Sequence, residues 1–200
     1  MEFVLRYKGP LHANSNAKEK HAIRQLFHPQ LKNLWQTHPL LAGTTSIELV
    51  GRSEERWVKE TRVDWISESH RRGAYRFVPL VSKDLNLICG LDIQFLRRES
   101  PGMLIRGGGD IDNRVKTLFD ALRIPDENQI EKMSPELDEE PFYCLLEDDA
   151  LITGFCITTE RLLDPLAEGE PPSHIALHIK AKVYTTLASE TAAFDKLKPQ

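Results

Sequence analysis

Two aspartates one residue apart, Asp110 and Asp112, follow three consecutive glycines and open a stretch that reads as a helix. Glycine accepts positive φ at no steric cost, so such a turn lets the backbone approach a ligand closely. Carboxylate oxygens are the donors that hard divalent cations take, with water completing the octahedron. Lys116 stands four residues after Asp112 and Asp120 four after that. The three therefore share a helix face distinct from the apolar stripe of Val115, Leu118, Phe119 and Leu122. The same residues also admit a plain structural use: Asp112 or Asn113 as N-cap, Asp110 as a turn residue, Lys116 as an ion-pair partner along the helix. A second acidic group, Glu147, Asp148 and Asp149, sits between Leu145-Leu146 and Ala150-Leu151, at the head of a strand read over 151–157. Carboxylates set among apolar residues are costly unless cations compensate them, which points to one site shared by both segments. The alternative is a solvated turn at a strand end.

The elements that must carry these groups are legible from periodicity. Alternation around Phe3, Leu5 and Tyr7 predicts a strand over 2–7; short apolar runs predict strands at 46–50, 76–81 and 91–96. The clearest is 173–184, where Ile175, Leu177, Ile179, Ala181 and Val183 alternate with His174, His178, Lys180 and Lys182. Residues 17–35 read as a helix with Ile23, Leu26, Phe27, Leu31, Leu34 and Trp35 on one side, and Pro29 predicts a kink or a break. The helix after Asp112 ends before Pro125. Residues 51–73 satisfy neither period, and an acidic stretch at 126–144 separates the helix from Asp149. The expected fold class is α+β, a mixed sheet with helices packed against it, as a single domain over 1–200 with possible insertions at 51–73 and 126–144.

Composition narrows the classes. Hydrophobic residues at 40%, charged residues at 28% and a mean hydropathy of −0.38 describe an ordinary globular chain rather than a disordered or collagenous one. No apolar run approaches the roughly 18 residues a transmembrane helix needs, and charges at Glu2, Arg6 and Lys8 interrupt any signal peptide. Cys89, Cys144 and Cys156 lack metal-ligand spacing and suit a reducing compartment, so a cytoplasmic location is expected. The net charge of −4 conceals an asymmetry: residues 1–124 carry 20 Lys and Arg against 14 Asp and Glu, residues 125–200 carry 6 against 16. A basic larger part and an acidic remainder allow a cationic face for a polyanion beside a carboxylate-rich site.

Other candidates read more simply. His174 and His178 would be about 13 Å apart on a strand, too far to share a metal. His12, His21, His28, His38 and His70 have no metal-binding context. Cys89 and Cys156 are expected in the core. Trp57 and Trp65 suit packing better than base stacking. Arg71-Arg72 and Arg97-Arg98 are candidate phosphate contacts or solvated loop residues.

Taken in order, Gly-Gly-Asp-Ile-Asp-Asn-Arg-Val-Lys (108–116), Phe-Asp-Ala-Leu (119–122) and Glu-Asp-Asp-Ala (147–150) resemble the RusA-like Holliday junction resolvases. Gly9 to Asn16 is a loose version of that family's segment after its first strand. The resemblance covers roughly 105–157. It implies a magnesium-dependent (or manganese-dependent) endonuclease of DNA recombination and repair, which nicks branched DNA as a homodimer and lies outside membranes. It further implies that Asp110, Asp112 and Asp149 are the metal-binding carboxylates, with Asp148 as the alternative to Asp149, and that Lys116 is the essential lysine. Arg97, Arg98, Arg106 and Arg114 are the expected DNA contacts. The chain departs from the family in placing three glycines, not a basic run, before the Asp-x-Asp, and in its acidic stretch at 126–144. Two other classes fit the residues: a non-catalytic binder of DNA structure that keeps the fold, and a nucleotidyltransferase, although the Gly-Ser that usually precedes the acids of the latter is absent.

Overall fold

Alternation builds the longest strands of this chain, and an apolar stripe builds its longest helix. The computed structural model describes residues 1–42, 62–98, 111–169, 171 and 173–186. Its elements in chain order are β1 (Glu2–Gly9), α1 (Ala17–Thr37), α2 (Pro39–Ala42), α3 (Arg62–Ser69), β2 (Arg71–Arg72), β3 (Tyr75–Val81), β4 (Leu87–Arg97), α4 (Ile111–Leu122), α5 (Glu127–Ile130), β5 (Phe142–Leu146), β6 (Ile152–Arg161) and β7 (Ile175–Thr185). The fold is mixed α+β. Two compact units are interleaved along the chain: Met1–Pro10, Val81–Gly102 and Glu147–Gln200 make one, and Leu11–Leu80 with Met103–Leu146 make the other. The strand expected at 46–50, and Trp57, lie outside the described residues. Among the described residues no helix is long and apolar enough to cross a membrane.

The first unit is a four-stranded sheet in the order β1-β7-β4-β6. β7 runs antiparallel to both β1 and β4, and β6 runs parallel to β4. The alternation of β7 does what its pattern predicts: Ile175, Leu177, Ile179, Ala181 and Val183 are buried while His178 and Lys180 face water. Leu5 and Ile93 flank Ile179 in register, so one face of the sheet is a continuous apolar layer. On the wet face Lys180 pairs with Glu2 at 2.7 Å and Lys182 with Asp92 at 2.6 Å. Two expectations are corrected here. His174 precedes β7, in a turn where its amide donates to the Pro171 carbonyl, so it shares no strand face with His178. Cys156 is exposed although Cys89 is buried, because β6 is an edge strand and Cys156 lies opposite Asp92 on the wet face.

In the second unit α1 is the organising element. Asn16 caps it with a reciprocal box: the Asn16 side chain accepts from the Glu19 amide at 3.0 Å, and the Glu19 carboxylate accepts from the Asn16 amide at 2.9 Å. The helix passes through Pro29 without interruption for 21 residues, so of the expected kink or break the break does not occur. Ile23, Phe27, Leu31 and Trp35 are buried as the stripe predicts, but Leu26 is exposed. In its place three polar residues at i, i+3 and i+7, His21, Arg24 and His28, complete the buried face. A three-stranded sheet, β2-β3-β5, supplies the opposing surface. Its core gathers Tyr75, Phe77, Phe142 and Cys144 with Ile124 and Ile130.

Arg24 shows why a charge is tolerated there. Its guanidinium, 1% exposed, donates through Nη2 to the Asp120 carbonyl at 2.7 Å and through Nε to the Arg123 carbonyl at 3.1 Å. These carbonyls lie at the C-terminal end of α4, where the helix leaves acceptors without internal partners and carries partial negative charge. Burial holds the guanidinium pKa down to about 10, still charged at neutral pH. Lys20 adds an ion pair to Asp120 at 2.7 Å, so two residues of α1 fix the end of α4. Arg24→Met keeps the apolar stem but strands both carbonyls. Charge-assisted hydrogen bonds contribute about 1.5–3 kcal/mol each, so the variant is expected to melt about 5–15 °C below wild type. A thermal melt within 2 °C of wild type would show that the cap contributes little.

Candidate functional site

α4 presents the first group of candidate residues. Val115, Leu118, Ala121 and Leu122 are buried on its inner face and Thr117 with them, while Phe119 is only half-buried at the margin. Asp112 and Lys116, one turn apart, are both exposed. α4 starts at Ile111, so Asp112 lies within the first turn rather than at the N-cap expected of it or of Asn113; its Oδ1 accepts from the Asn113 amide at 2.9 Å. A carboxylate in the first turn is favoured there by the positive end of the helix dipole. The structural use expected for Lys116 is not found. Asp120, its candidate partner one turn on, pairs instead with Lys20 at 2.7 Å and Arg123 at 3.3 Å. The Lys116 ammonium has no hydrogen bond or ion pair among the described residues.

The C-terminal end of α4 is fastened by backbone. Beyond Leu122 the chain makes a parallel bridge, Arg123 to Leu146, and the Ile124 amide donates to the Leu146 carbonyl at 2.9 Å. Pro125 follows directly, where the helix could not have continued.

The second acidic group belongs to the other unit and is ordered by three local bonds. Glu147 Oε2 accepts from the Lys83 amide at 2.8 Å, and the Glu147 amide donates to the Val81 carbonyl at 2.9 Å. Asp148 is the N-cap of a short 3₁₀ turn, Asp149–Leu151, its Oδ1 accepting from the Ala150 amide at 2.8 Å. Asp149, the next residue, is exposed and its carboxylate has no hydrogen bond among the described residues. Asp148 is thus committed to the backbone and Asp149 is not. The strand after them is longer than the expected 151–157, running over Ile152–Arg161.

All carboxylate donors in these two groups are oxygen, the chemistry that suits magnesium or manganese. Asp110 and the three glycines lie outside the described residues, as does Arg106. Among the described residues no three His, Cys, Asp or Glu side chains gather as ligands for one metal ion.

The remaining arginines divide by burial. Arg97 is buried at the end of β4, its carbonyl accepting from the Leu162 amide at 2.7 Å, and so presents little of itself to a phosphate. Arg98 is half-buried and donates to the Asp164 carbonyl; Arg114 is half-buried on α4. Arg71 is held by Glu68 through two bonds of 2.7 and 2.8 Å, and Arg72 donates to the Arg71 carbonyl. Trp65 lies on α3, partly exposed.

The acidic stretch at 126–144 is not a loop standing away from its unit. Arg123 clasps Asp126 at 3.0 and 3.1 Å, α5 buries Ile130, and Phe142, Tyr143 and Cys144 are already β5. Glu139 is buried, accepting from Gln25 Nε2 at 2.7 Å and from the Glu136 amide at 3.0 Å, and Glu140 pairs with Arg76 at 2.6 Å. The Asp138 carbonyl accepts from Lys32 Nζ at 2.9 Å. Of its seven acids, Glu139 and Glu140 are therefore carboxylate partners of α1 and β3, and Asp138 meets α1 through its carbonyl. Sequence reasoning passed over this docking, and over His21, Arg24 and His28. Their i, i+3, i+7 spacing on the stripe of Ile23 and Phe27 was the available signal.

Set against known proteins, the chain matches no family model and no curated protein.

Proposed function

We propose that this protein is a magnesium-dependent endonuclease that nicks branched DNA by phosphodiester hydrolysis, as the resemblance to RusA-like resolvases implies. The observation that carries the reading is the state of Asp112 and Lys116. They stand one turn apart on an exposed face of α4, and the lysine is spared the ion pair that would have explained it structurally. In this reading Asp110, Asp112 and Asp149 hold the metal, and Asp148 serves as the cap that sets Asp149's backbone. Magnesium at such a carboxylate set supplies Lewis-acid chemistry, acidifying water and stabilising a leaving oxygen. Lys116 places a fixed positive charge toward the scissile phosphate, where charge builds in the transition state. The rigid seating of α4 on α1, through Arg24 and Lys20, keeps the Asp112 and Lys116 backbone from moving when phosphate binds. Arg98, Arg106 and Arg114 are the arginines assigned to phosphate contacts, with Arg97 set aside by its burial. A homodimer supplies the two copies of the site that paired nicks across a junction require, and the cytoplasm is the proposed location.

The test is an end-labelled four-way junction incubated with the protein, with and without magnesium. Symmetric nicks that need the metal are the expected result. A mobility shift without cutting would favour the non-catalytic binder, and a labelled nucleotide joined to the substrate would favour the transferase.

A further inference from the structure

We propose that the seam between α1 and β5 is an acid-released latch: His21 and His28, buried side by side on one face of α1, hold β5 and the segment before it against the helix as neutral rings, and protonation lets that segment go. The inference concerns the second unit alone and does not depend on the nuclease reading.

β5 ends the β2-β3-β5 sheet, its Leu146 carbonyl accepting from the Ile124 amide, and α1 reaches the strand with a side chain. The Tyr143 amide donates to His28 Nδ1 at 2.9 Å, which requires Nδ1 to be unprotonated. The proton of the neutral ring then sits on Nε2, which donates to the Asp138 carbonyl at 3.1 Å. Both nitrogens are thereby assigned, and the ring packs 4.6 Å from that of Phe142. A solvent proton arriving at Nδ1 takes the lone pair on which the Tyr143 amide depends and leaves two N–H groups facing one another in a buried place. His21 repeats the difficulty about two turns earlier. Its Nε2 meets the Tyr75 hydroxyl at 3.3 Å, its ring lies 5.5 and 5.6 Å from Tyr75 and Phe142, and its buried Nδ1 has no partner among the described residues. A proton there finds no acceptor.

The charged and titratable groups around the pair do not reverse this. On α1, Arg24 opposes a charge on His21 and Lys32 opposes one on His28. From the preceding segment, Asp138 and Glu139 favour it, but Glu139 already accepts from Gln25 and from the Glu136 amide. On β3 and β5, Tyr75 and Cys144 are each pushed up to about 12 by burial and Tyr143 is pushed up as well, so all three are neutral. Burial is the largest influence on both imidazoles and lowers the pKa of each. A group whose folded pKa is lowered gives stability that is complete above its unfolded value, near 6.5 for histidine, and is lost as the pH falls below that value and on through the lower folded one. The latch therefore opens on the acid side.

The test uses the full chain. Wild type is expected to lose about 5 °C or more in Tm between pH 7.5 and 5.0. In His28→Gln the side-chain oxygen can accept from Tyr143 and the amide can donate to Asp138 without titrating, and His21→Leu removes the stranded nitrogen. The double variant should lose less than half as much. Parallel Tm curves for the two proteins would overturn the proposal. Amide exchange in wild type gives a measurement that needs no variant. The Tyr143 amide should lose protection below about pH 6, while the Phe77 amide, bonded to the His70 carbonyl at 3.1 Å, keeps it. Loss of both together would mean global unfolding, retention of both a seam insensitive to acid, and either result would sink the latch.

Discussion

Asp112→Asn is expected to abolish magnesium-dependent nicking of a four-way junction while the protein folds and binds as before. The amide oxygen of asparagine can still accept from the Asn113 amide, the local bond that Asp112 makes, so the first turn of α4 keeps its geometry. What is lost is the charge, which a divalent cation requires of its ligands. The favourable helix-dipole contribution of a first-turn carboxylate disappears too, at about 0.3–1 kcal/mol. Loss of one preorganised charge at a reacting centre costs about 10²–10³ in turnover, and loss of the metal it holds costs more. Junction binding holds or tightens, because a negative charge beside a phosphate has gone. Asp149→Asn should behave alike with still less effect on stability, since that carboxylate makes no hydrogen bond among the described residues. Asp148→Asn should cut nearly as well as wild type, because the amide oxygen can cap Ala150 as the carboxylate does. Nicking rates measured beside melting curves decide the matter. Wild-type rates for both Asp112→Asn and Asp149→Asn would remove the metal assignment.

Lys116→Ala is the second large effect. The side chain is exposed, lies off the buried stripe of Val115, Leu118 and Leu122 and makes no ion pair among the described residues, so its removal should leave Tm within about 1 °C. Alanine is in addition the best helix former. Turnover should fall by roughly 10² or more, the scale of one fixed electrostatic stabiliser. Single-turnover kinetics with saturating junction separate this from weakened binding: the rate constant falls while the dissociation constant changes little. A variant that melts early yet cuts normally per folded molecule would return Lys116 to a structural role.

How much of this could be read beforehand depended on whether a residue's role was local. The strand Ile175–Thr185 was readable because each side chain's face follows from its parity, and one face is buried along its whole length. The apolar stripe of α4 was readable for the same reason at a different period. The fate of Lys116 was not, because the choice between Asp120 and solvent was made by Lys20 and Arg123, one of them a hundred residues away. Cys156 was misplaced because alternation marks a strand without saying whether it is an edge. Pro29 was expected to kink or break a helix that instead continues past it, with packing on both sides: Phe27, His28 and Leu31 are all buried. The acidic stretch was expected as a possible insertion, and acidity usually signals solvent, yet Glu139 is buried against Gln25.

The place of β7 bears on how the chain can acquire its structure. β7, the last strand among the described residues, lies in the interior of its sheet, between β1 and β4, so β1 has no partner there until more than 170 residues later: Glu2 faces Lys182. Such pairing must close a very long loop before any contact rewards it, which slows folding and keeps strand edges open to other chains meanwhile. The second unit is under no such delay, since its segments end at Leu146. On the ribosome it can therefore be complete while β1 and β4 still wait, and a chain cut short before Ile175 would have the helices and their clasp but no means of joining the first strand to the fourth.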